Sequence, residues 1–437
     1  MENITVYWID LFCGAGGTST GIHLANNNSK VLACVNHDAN AIKSHFENHP
    51  DAHHFTEDIR DFAVVLKLKN LVDNIRLNEP DAIINIWASL ECTNFSKAKG
   101  GQSRDADSRT LAEHMFMYLK EIDPDYFWVE NVREFMSWGP LDNNGKPISR
   151  TEGKDYIKWI ESVKMYGYNY DKKILNSANY GSYQSRERLF IQFAKHNLPI
   201  SWPEQTHTKD KIDSPLFPME KWKPVREVLD LQDEGKSIFD RKKPLSDKTI
   251  DVIIKGMVKA IEEKEETFIF KYYGNGLNYT SLKNPSGTVT TKDRFAIIKL
   301  IVNQYKTGNI SSINNPIGTL TTTPKCNILT FILNPSHGGH TTSIDKPAPT
   351  VIARQDKAPL YILKAIMNEY GVIDVKMRMA KIIELLQMQG FPKDYKLVGT
   401  QAEQKKFIGN AVEVNQARAL VVCNYESLIR YFKKRAA

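Results

Sequence analysis

Long apolar runs are missing from this 437-residue chain: none approaches the roughly 20 residues that a membrane-spanning helix needs. The first residues also lack the basic and apolar regions of a signal peptide, so we expect neither export nor a membrane partner. Cysteine is scarce: its five residues are widely spaced, odd in number and without a CxxC pair. These absences disfavour a disulfide framework and a structural zinc site, and they are typical of a cytoplasmic protein.

The positive charge of the chain is concentrated in one region. With 41% apolar and 25% charged residues, the composition is that of a globular protein, and the length predicts about two to three domains. Between Thr267 and Tyr370, 11 basic residues stand against four acidic ones, an excess equal to the whole net charge of +7. This bias favours a nucleic-acid partner, although a solvated basic face gives the same count.

Strand-like and helix-like segments alternate through the first 195 residues. The strand-like runs are Thr5–Leu11, Lys30–Val35, Asp81–Trp87, Asp125–Val129 and Leu189–Phe193, and a helix is predicted at about 110–122. The sequence therefore predicts an α/β fold with a doubly wound, mostly parallel sheet. In such folds, ligands bind beyond the carboxyl ends of the strands.

Prolines punctuate a polar stretch that begins near residue 201, which predicts a domain crossing. We therefore divide the chain into a catalytic and cofactor-binding domain at 1–200, a smaller β-rich domain at 201–370 and a returning segment at 371–437. Within the returning segment, helices are predicted at 378–387 and 414–432.

The middle region contains an internal repeat. The pattern Pro-x-x-Thr recurs from Pro285, Pro316 and Pro347, with a period of 31 residues, and each copy ends in β-branched or aliphatic residues. The repeat predicts three strand–turn–strand elements. Such elements serve packing alone or, given the basic charge around them, contact with nucleic acid.

A glycine-rich turn (DLFCGAGG, residues 10–17) follows the first strand and precedes a helix. Glycines let the backbone pass close to a ligand, and free amides at a helix start favour polar groups. The motif is not GxGxxG, which disfavours a nicotinamide dinucleotide. It indicates a nucleoside-like cofactor or, alternatively, a purely structural turn.

Three further motifs follow strand-like runs. Cys92 lies just past the third run, where it is either a nucleophile or a residue buried for packing alone. Glu130, after the run DYFWV, is a proton donor or a surface or helix-capping acid. Gln184, Arg186 and Arg188 alternate along an extended chain and share one face, where they bind a base edge or phosphate or form an ion-pair ladder.

The order of these motifs resembles that of the cytosine-5 DNA methyltransferases. DLFCGAGG, a cysteine loop ending in FS, ENV, QSRER, GFP and GNAV follow one another from Asp10 to Val412. The resemblance implies a Rossmann-like methyltransferase fold, S-adenosylmethionine as cofactor and duplex DNA as substrate, with the target cytosine flipped out of the helix. It also implies target recognition between QSRER and GFP, where the repeat and the basic excess lie.

The resemblance assigns the catalytic residues. Cys92 adds to carbon 6 of the cytosine, Glu130 acts as an acid at ring nitrogen 3, and Arg186 and Arg188 hold the carbonyl oxygen. Asn131 and Gln184 orient the substrate.

The resemblance also assigns the cofactor pocket and the setting of the enzyme. The cofactor-binding residues are Asp10, Phe12, Gly14, Gly16, Gly17, Asn36, Asp58, Leu111, Asn410 and Val412. No metal is expected. We further expect a monomer that is encoded by a bacterium or phage, with a cognate restriction endonuclease as a possible companion in the host.

Three positions depart from the family pattern. Glu91 and Thr93 replace the usual proline and glutamine beside Cys92, Asn36 stands in place of a ribose-binding glutamate, and Tyr183 replaces a proline. An ionised Glu91 would oppose thiolate formation at Cys92. These departures leave open a weak or inactive DNA-binding relative. An RNA cytosine-5 methyltransferase, with the same chemistry on another substrate, is a separate alternative.

Overall fold

The computed structural model divides the chain into two compact units. Unit 1 consists of Met1–Leu229, Lys283–Asp293 and Lys381–Ala437, and unit 2 of Asp230–Leu282 and Arg294–Ala380. The structure describes residues 4–90, 111–140, 142, 148–149, 151–210, 218–233, 235–240, 242–246, 250, 253, 267–271, 279–289, 295–303, 331–334, 340–343, 361–363 and 371–436. The chain therefore leaves unit 1 twice and returns to it twice.

A seven-stranded sheet forms the centre of unit 1. Its strands are β1 (Val6–Leu11), β2 (Ser29–Val35), β3 (His53–Phe55), β4 (Ile83–Ser89), β5 (Tyr126–Asn131), β6 (Tyr168–Asn176) and β7 (Glu187–Lys195). Their order is β3-β2-β1-β4-β5-β7-β6; β1 to β5 pair in parallel, and β7 is antiparallel to β5 and β6. The strand order reverses between β1 and β4, which is where open α/β sheets bind ligands.

The described part of unit 1 contains eight α-helices. They are α1 (Gly17–His23), α2 (Ala39–Asn48), α3 (Phe62–Asn78), α4 (Met115–Ile122), α5 (Lys154–Lys164), α6 (Ile382–Met388), α7 (Gln401–Asn410) and α8 (Val414–Ala436). Polar side chains begin several of them: the carboxylate of Asp38 accepts from two amides of α2, and Thr400 forms a capping box at α7. None of the described helices is long and apolar enough to span a bilayer.

The two faces of the sheet bury separate cores. Trp8, Trp87 and Trp128 lie on one face, where Trp87 and Trp128 stack with their ring centroids 5.7 Å apart. Leu420 and Val421 of α8 pack into this cluster. Side chains of α3, α4 and α5 cover the opposite face. Because both faces are covered, β1 and β5 are buried along their whole length and β4 up to its last residue, and most of their side chains are apolar. The carboxyl ends of these strands lie side by side at one edge of the sheet.

Unit 2 consists of antiparallel strands. The strands are β10 (Lys236–Ser237), β11 (Thr267–Lys271), β12 (Tyr279–Ser281), β13 (Phe295–Asn303), β14 (Phe331–Asn334), β15 (His340–Ser343), β16 (Tyr361–Leu363) and β17 (Gly371–Met379). A five-stranded sheet has the order β10-β17-β13-β11-β12, and a three-stranded sheet has the order β15-β14-β16. A short parallel pair, β8 (His207–Thr208) with β9 (Glu220–Lys221), belongs to unit 1.

The predicted α/β fold with a mostly parallel, doubly wound sheet is confirmed, although β3 and β6 were not predicted and β7 runs antiparallel. The helix predicted at 110–122 is shorter, since α4 begins at Met115. The helix predicted at 378–387 is wrong in its first part, because β17 extends to Met379 and pairs with the distant strand β13. The repeat copies at Pro316 and Pro347 lie outside the described residues, and the predicted domain limits stay predictions.

Candidate functional site

The glycine-rich turn joins β1 to α1 at the carboxyl edge of the sheet. Phe12, Gly14 and Gly16 have positive φ angles of 61°, 54° and 103°. The turn therefore depends on backbone conformations that residues other than glycine rarely adopt. The amide of Cys13 donates to the carbonyl oxygen of Val35 (3.2 Å), which fixes the turn to β2. A Cβ on Gly14 would meet no atom of the described residues within 4 Å. Among these residues, the backbone of the turn therefore borders open space at this point.

Asp10 is fully buried at the end of β1. One carboxylate oxygen, Oδ2, accepts from the hydroxyl of Ser19 (2.7 Å), while Oδ1 has no hydrogen-bond partner among the described residues. Burial raises the pKa of this carboxyl to about 8, against the opposing effect of the Ser19 hydrogen bond. Asp10 thus leaves an unsatisfied polar atom beside the turn, as expected where a ligand completes the hydrogen bonding.

The turn also contacts the C-terminal part of unit 1. A Cβ added to Gly17 would collide with the carbonyl oxygen of Val412, so the two backbones touch directly. The hydroxyl of Tyr395 donates to the carbonyl oxygen of Ala15, and Phe407 packs against Ala15. The tertiary fold therefore brings DLFCGAGG and GNAV, about 400 residues apart in the chain, into contact.

The other predicted cofactor residues lie in different surroundings. The side-chain oxygen of Asn36, past β2, accepts from the amide of Asp38 (2.9 Å). Arg60 forms an ion pair with Asp58 (2.6 Å) and lowers the pKa of that carboxyl to about 2. Leu111 is buried in the main core, whereas Asn410 is exposed at the end of α7.

Glu130 and Arg188 form a buried ion pair at the ends of β5 and β7. Arg188 Nε lies 3.2 Å from Glu130 Oε1, and the two side chains are only 15% and 8% exposed. Burial raises the pKa of Glu130, and the nearby charges of Arg188 and Arg186 oppose this rise without cancelling it. A carboxyl in this environment retains its proton to a higher pH than a surface glutamate does.

Gln184 and Arg186 are tied to the returning segments of unit 1. The amide of Val289 donates to Gln184 Oε1 (3.0 Å), and Gln184 Nε2 donates to Gln389 just past α6. Arg186 Nη1 donates to the carbonyl oxygen of Val289 (3.2 Å). Gln184 and Arg186 are both buried and both contact Val289, and their roles towards a substrate stay predictions.

Asn131 faces the segment that contains the predicted nucleophile. Its Nδ2 donates to the carbonyl oxygen of Leu90 (3.3 Å), and its Oδ1 accepts from the amide of Val132 (2.8 Å). Cys92 lies outside the described residues. However, Ser89, three residues before it, pairs directly with Glu130 across β4 and β5.

Several residues around the site were not predicted from the sequence. Val289, Gln389 and Tyr395 connect the motifs, and His45 contacts Ser19 beneath the turn. Tyr395 and His45 belong to no motif described above, whereas Val289 ends the first copy of the repeat and Gln389 directly precedes GFP. Only the tertiary contacts place these residues around the site.

The carboxyl edge therefore combines three chemical features. An open glycine-rich turn with an unsatisfied buried carboxyl suits a polar small molecule, and a neighbouring buried carboxyl with a raised pKa suits proton donation. The guanidinium group of Arg188 suits a carbonyl oxygen or an anion. Together these features fit a small-molecule cofactor beside a base-like substrate.

The chain matches the sequence profile of the family described as C-5 cytosine-specific DNA methylase over residues 6–422. It is 29% identical to the type II methyltransferase M.AgeI of Thalassovita gelatinovora, over 46% of this chain and 43% of that one. It is 26% identical to the type II methyltransferase M.BspRI of Lysinibacillus sphaericus, over 49% of this chain and 50% of that one. The chain thus spans about half the length of these curated relatives.

The fold is also similar to that of a solved structure, the Entamoeba histolytica methyltransferase EhMeth. The TM-score is 0.51 at 14% sequence identity, over 97% of this chain and 99% of that one. At this identity, the similarity concerns the fold alone.

Proposed function

The chain belongs to the C-5 cytosine-specific DNA methylase family, and we propose that it transfers a methyl group from S-adenosylmethionine to carbon 5 of a cytosine in duplex DNA. The observation that carries this proposal is the buried pair of Glu130 and Arg188. Ser89, which pairs with Glu130 across β4 and β5, precedes Cys92 by three residues in the sequence. A buried acid beside a guanidinium group suits protonation of a base ring and binding of its carbonyl oxygen.

The residues of the turn fit S-adenosylmethionine. Within the described part of the chain, Oδ1 of Asp10 has no hydrogen-bond partner, and a Cβ on Gly14 would meet no atom within 4 Å. We propose that Asp10, Phe12, Gly14, Gly16 and Gly17 hold the cofactor, which supplies an electrophilic methyl group when bound. The remaining residues of the proposed pocket are Asn36, Asp58, Leu111, Asn410 and Val412.

The protein's own groups activate the cytosine. The Cys92 thiolate forms a bond to carbon 6 and pushes electron density to carbon 5, while the proton on Glu130 is shared with ring nitrogen 3. Arg188 holds the base carbonyl oxygen, and Arg186 orients the neighbouring groups. After methyl transfer, a base removes the proton from carbon 5 and the bond from Cys92 to carbon 6 breaks.

The target base must leave the duplex for this chemistry, at a cost of a few kcal/mol that contacts with DNA offset. We propose that the basic region between Thr267 and Tyr370 provides these contacts and recognises a specific sequence. The names of the type II relatives suggest a cognate restriction endonuclease in the same host. We expect the methyltransferase itself to act as a monomer.

The first test measures methyl transfer from labelled S-adenosylmethionine to unmethylated duplex DNA. Cys92→Ala should lower the rate by more than about a thousandfold, because covalent activation of the ring is lost. Cys423→Ser, at a partly exposed cysteine of α8, is the matched control and should retain activity. Full activity in Cys92→Ala would reject the nucleophile assignment. Bisulfite sequencing of the product would identify the methylated site.

Two other functions remain as alternatives. An inactive DNA-binding relative is suggested by Glu91 and Thr93 beside Cys92, and a stable covalent complex with DNA that contains 5-fluorocytosine would eliminate it. An RNA methyltransferase would label transfer RNA in preference to duplex DNA. The large region between QSRER and GFP favours DNA, since reading a duplex groove needs a dedicated surface.

A further inference from the structure

A cluster of cysteine and histidine side chains lies beneath the glycine-rich turn. Cys13 comes from the turn, Cys34 from β2 and His45 from α2, and their ligand atoms all lie within 4.8 Å of one another. All three residues are buried. His54 of β3 adjoins the cluster, with its Nε2 2.9 Å from His45 Nδ1. The turn, β2, α2 and β3 thus bring cysteine sulfur and histidine nitrogen atoms close together.

We propose that Cys13, Cys34 and His45, with His54 as the fourth ligand, form a structural zinc site. Two thiolates and two imidazoles are a common ligand set of structural zinc in proteins. The two thiolate charges balance the charge of the ion, so the buried site carries no net charge. The site does not depend on the proposed methyl transfer.

Two distances in the cluster can be compared with those of a tetrahedral site. Zinc bonds of about 2.3 Å to sulfur and about 2.0 Å to nitrogen place a sulfur and a nitrogen about 3.5 Å apart. Cys34 Sγ lies 3.6 Å from His45 Nδ1. The two histidine nitrogens, 2.9 Å apart, need to separate by about 0.4 Å to share one tetrahedral ion.

A hydrogen-bond chain orients His45 for metal binding. The Ser19 hydroxyl donates to Asp10 Oδ2 (2.7 Å), so its oxygen accepts from His45 Nε2, 2.8 Å away. This leaves His45 Nδ1 without a proton and pointing towards Cys34. Histidine ligands of zinc characteristically donate their second ring nitrogen to an oxygen in this way.

The burial of the cluster also suits a structural metal. Cys13, Cys34 and His45 are buried, and His54 is half-buried. Zinc binds thiolates, so metal uptake would release the thiol protons to solvent.

The test measures zinc in the full-length chain after dialysis against metal-free buffer, by mass spectrometry. The unmodified protein should retain about one zinc ion per chain, and Cys34→Ser and His45→Ala should retain almost none. Cys423→Ser controls for cysteine loss. His53→Ala, at the exposed neighbour of His54 in β3, controls for histidine loss, and both controls should keep the metal.

A second measurement needs no variant that could fail to fold. Cobalt(II) added to the unmodified protein should give the strong visible bands of a tetrahedral ion and thiolate-to-cobalt charge-transfer absorption.

Ser19→Ala should weaken zinc affinity about 10- to 100-fold in a competition with a chelator, because His45 loses its orienting partner.

Two results would overturn the proposal. One is an unmodified chain that takes up no zinc and gives only the weak spectrum of six-coordinate cobalt. The other is a zinc-free chain in which Cys13 and Cys34 are joined by a disulfide as purified. Loss of zinc without loss of methyl transfer would leave the proposed function intact, so the two proposals fail separately.

Discussion

Glu130 shows how one residue acquires its chemistry from its surroundings. In the sequence it is an acid after a strand, which is equally consistent with a surface residue. In the fold it is buried, and its partner Arg188 is held by the next strand of the sheet. Burial outweighs the attraction of the neighbouring cations and keeps the pKa of Glu130 raised. The residue can therefore carry the proton that the proposed reaction requires.

We expect Glu130→Gln to lower methyl transfer by about 10²- to 10⁴-fold, because the amide cannot transfer a proton to the ring. The activity of the unmodified enzyme should fall as the pH rises through the raised pKa of Glu130, since the carboxyl then loses its proton. Single-turnover rates measured across a pH series would show both effects.

Glu161→Gln is the control for this substitution, because Glu161 pairs with Lys164 on the exposed surface of α5. It should leave both the rate and its pH profile unchanged. An alkaline fall of the same size and position in Glu130→Gln would show that another group controls the profile.

At the scale of elements, close packing of helices fixes the glycine-rich turn. Helix α1 follows the turn and packs against α8 through Gly21, where an added Cβ would lie 2.6 Å from the Cβ of Ala417 and 2.9 Å from the amide nitrogen of Arg418. Gly17 similarly touches the backbone of Val412. Because of these contacts, a shift of α8 would displace α1 and the turn before it.

We expect Gly21→Ala to destabilise the protein by about 1–3 kcal/mol, because the new methyl group overpacks the contact of α1 with α8. Urea unfolding followed by tryptophan fluorescence is the measurement, since Trp8, Trp87 and Trp128 lie buried in the core that α8 covers.

Gly139→Ala is the matched control. There the added Cβ would meet nothing closer than 3.7 Å, and the φ angle is not in the left-handed region. A similar loss of stability in both variants would indicate a general effect of replacing glycine and would contradict the packing argument.

At the scale of the whole molecule, the excess positive charge lies in one region of the chain and the proposed catalytic groups lie in another. The excess of basic residues between Thr267 and Tyr370 equals the net charge of the chain, so the rest of the protein is neutral on balance. A polyanion is therefore attracted chiefly to that region, much of which is unit 2. The carboxyl edge of unit 1 relies instead on specific buried groups such as Glu130.

We expect Lys306→Gln combined with Lys325→Gln to reduce the steepness of the salt dependence of DNA binding. Each phosphate contact contributes about −0.9 to the slope of log K against log salt concentration, so two lost contacts change the slope by up to about 2. Fluorescence anisotropy with a labelled duplex at several salt concentrations measures this slope.

Lys433→Gln with Lys434→Gln, in the last turn of α8, removes the same charge outside the basic region. This control should change the slope much less. Equal effects of the two pairs would mean that binding depends on net charge rather than on the region between Thr267 and Tyr370.

The sequence by itself determined the strands of the parallel sheet and the order of the motifs. Apolar runs and glycine-rich turns are local features, so β1, β2, β4 and β5 could be predicted with their following loops. The family resemblance rests on motif order along the chain, which also needs no tertiary information.

Only the tertiary structure decided how distant segments meet. Pairing of β17 with β13 made a strand where the local pattern predicted a helix, and Val289 came to contact Gln184 and Arg186 across about 100 residues of chain. The spacing of the cysteines disfavoured a structural zinc site, because spacing rules consider only ligands that lie close together in the sequence. Parallel strands instead placed Cys34 beside Cys13 and, with α2, beside His45, since crossover connections align residues that the sequence separates.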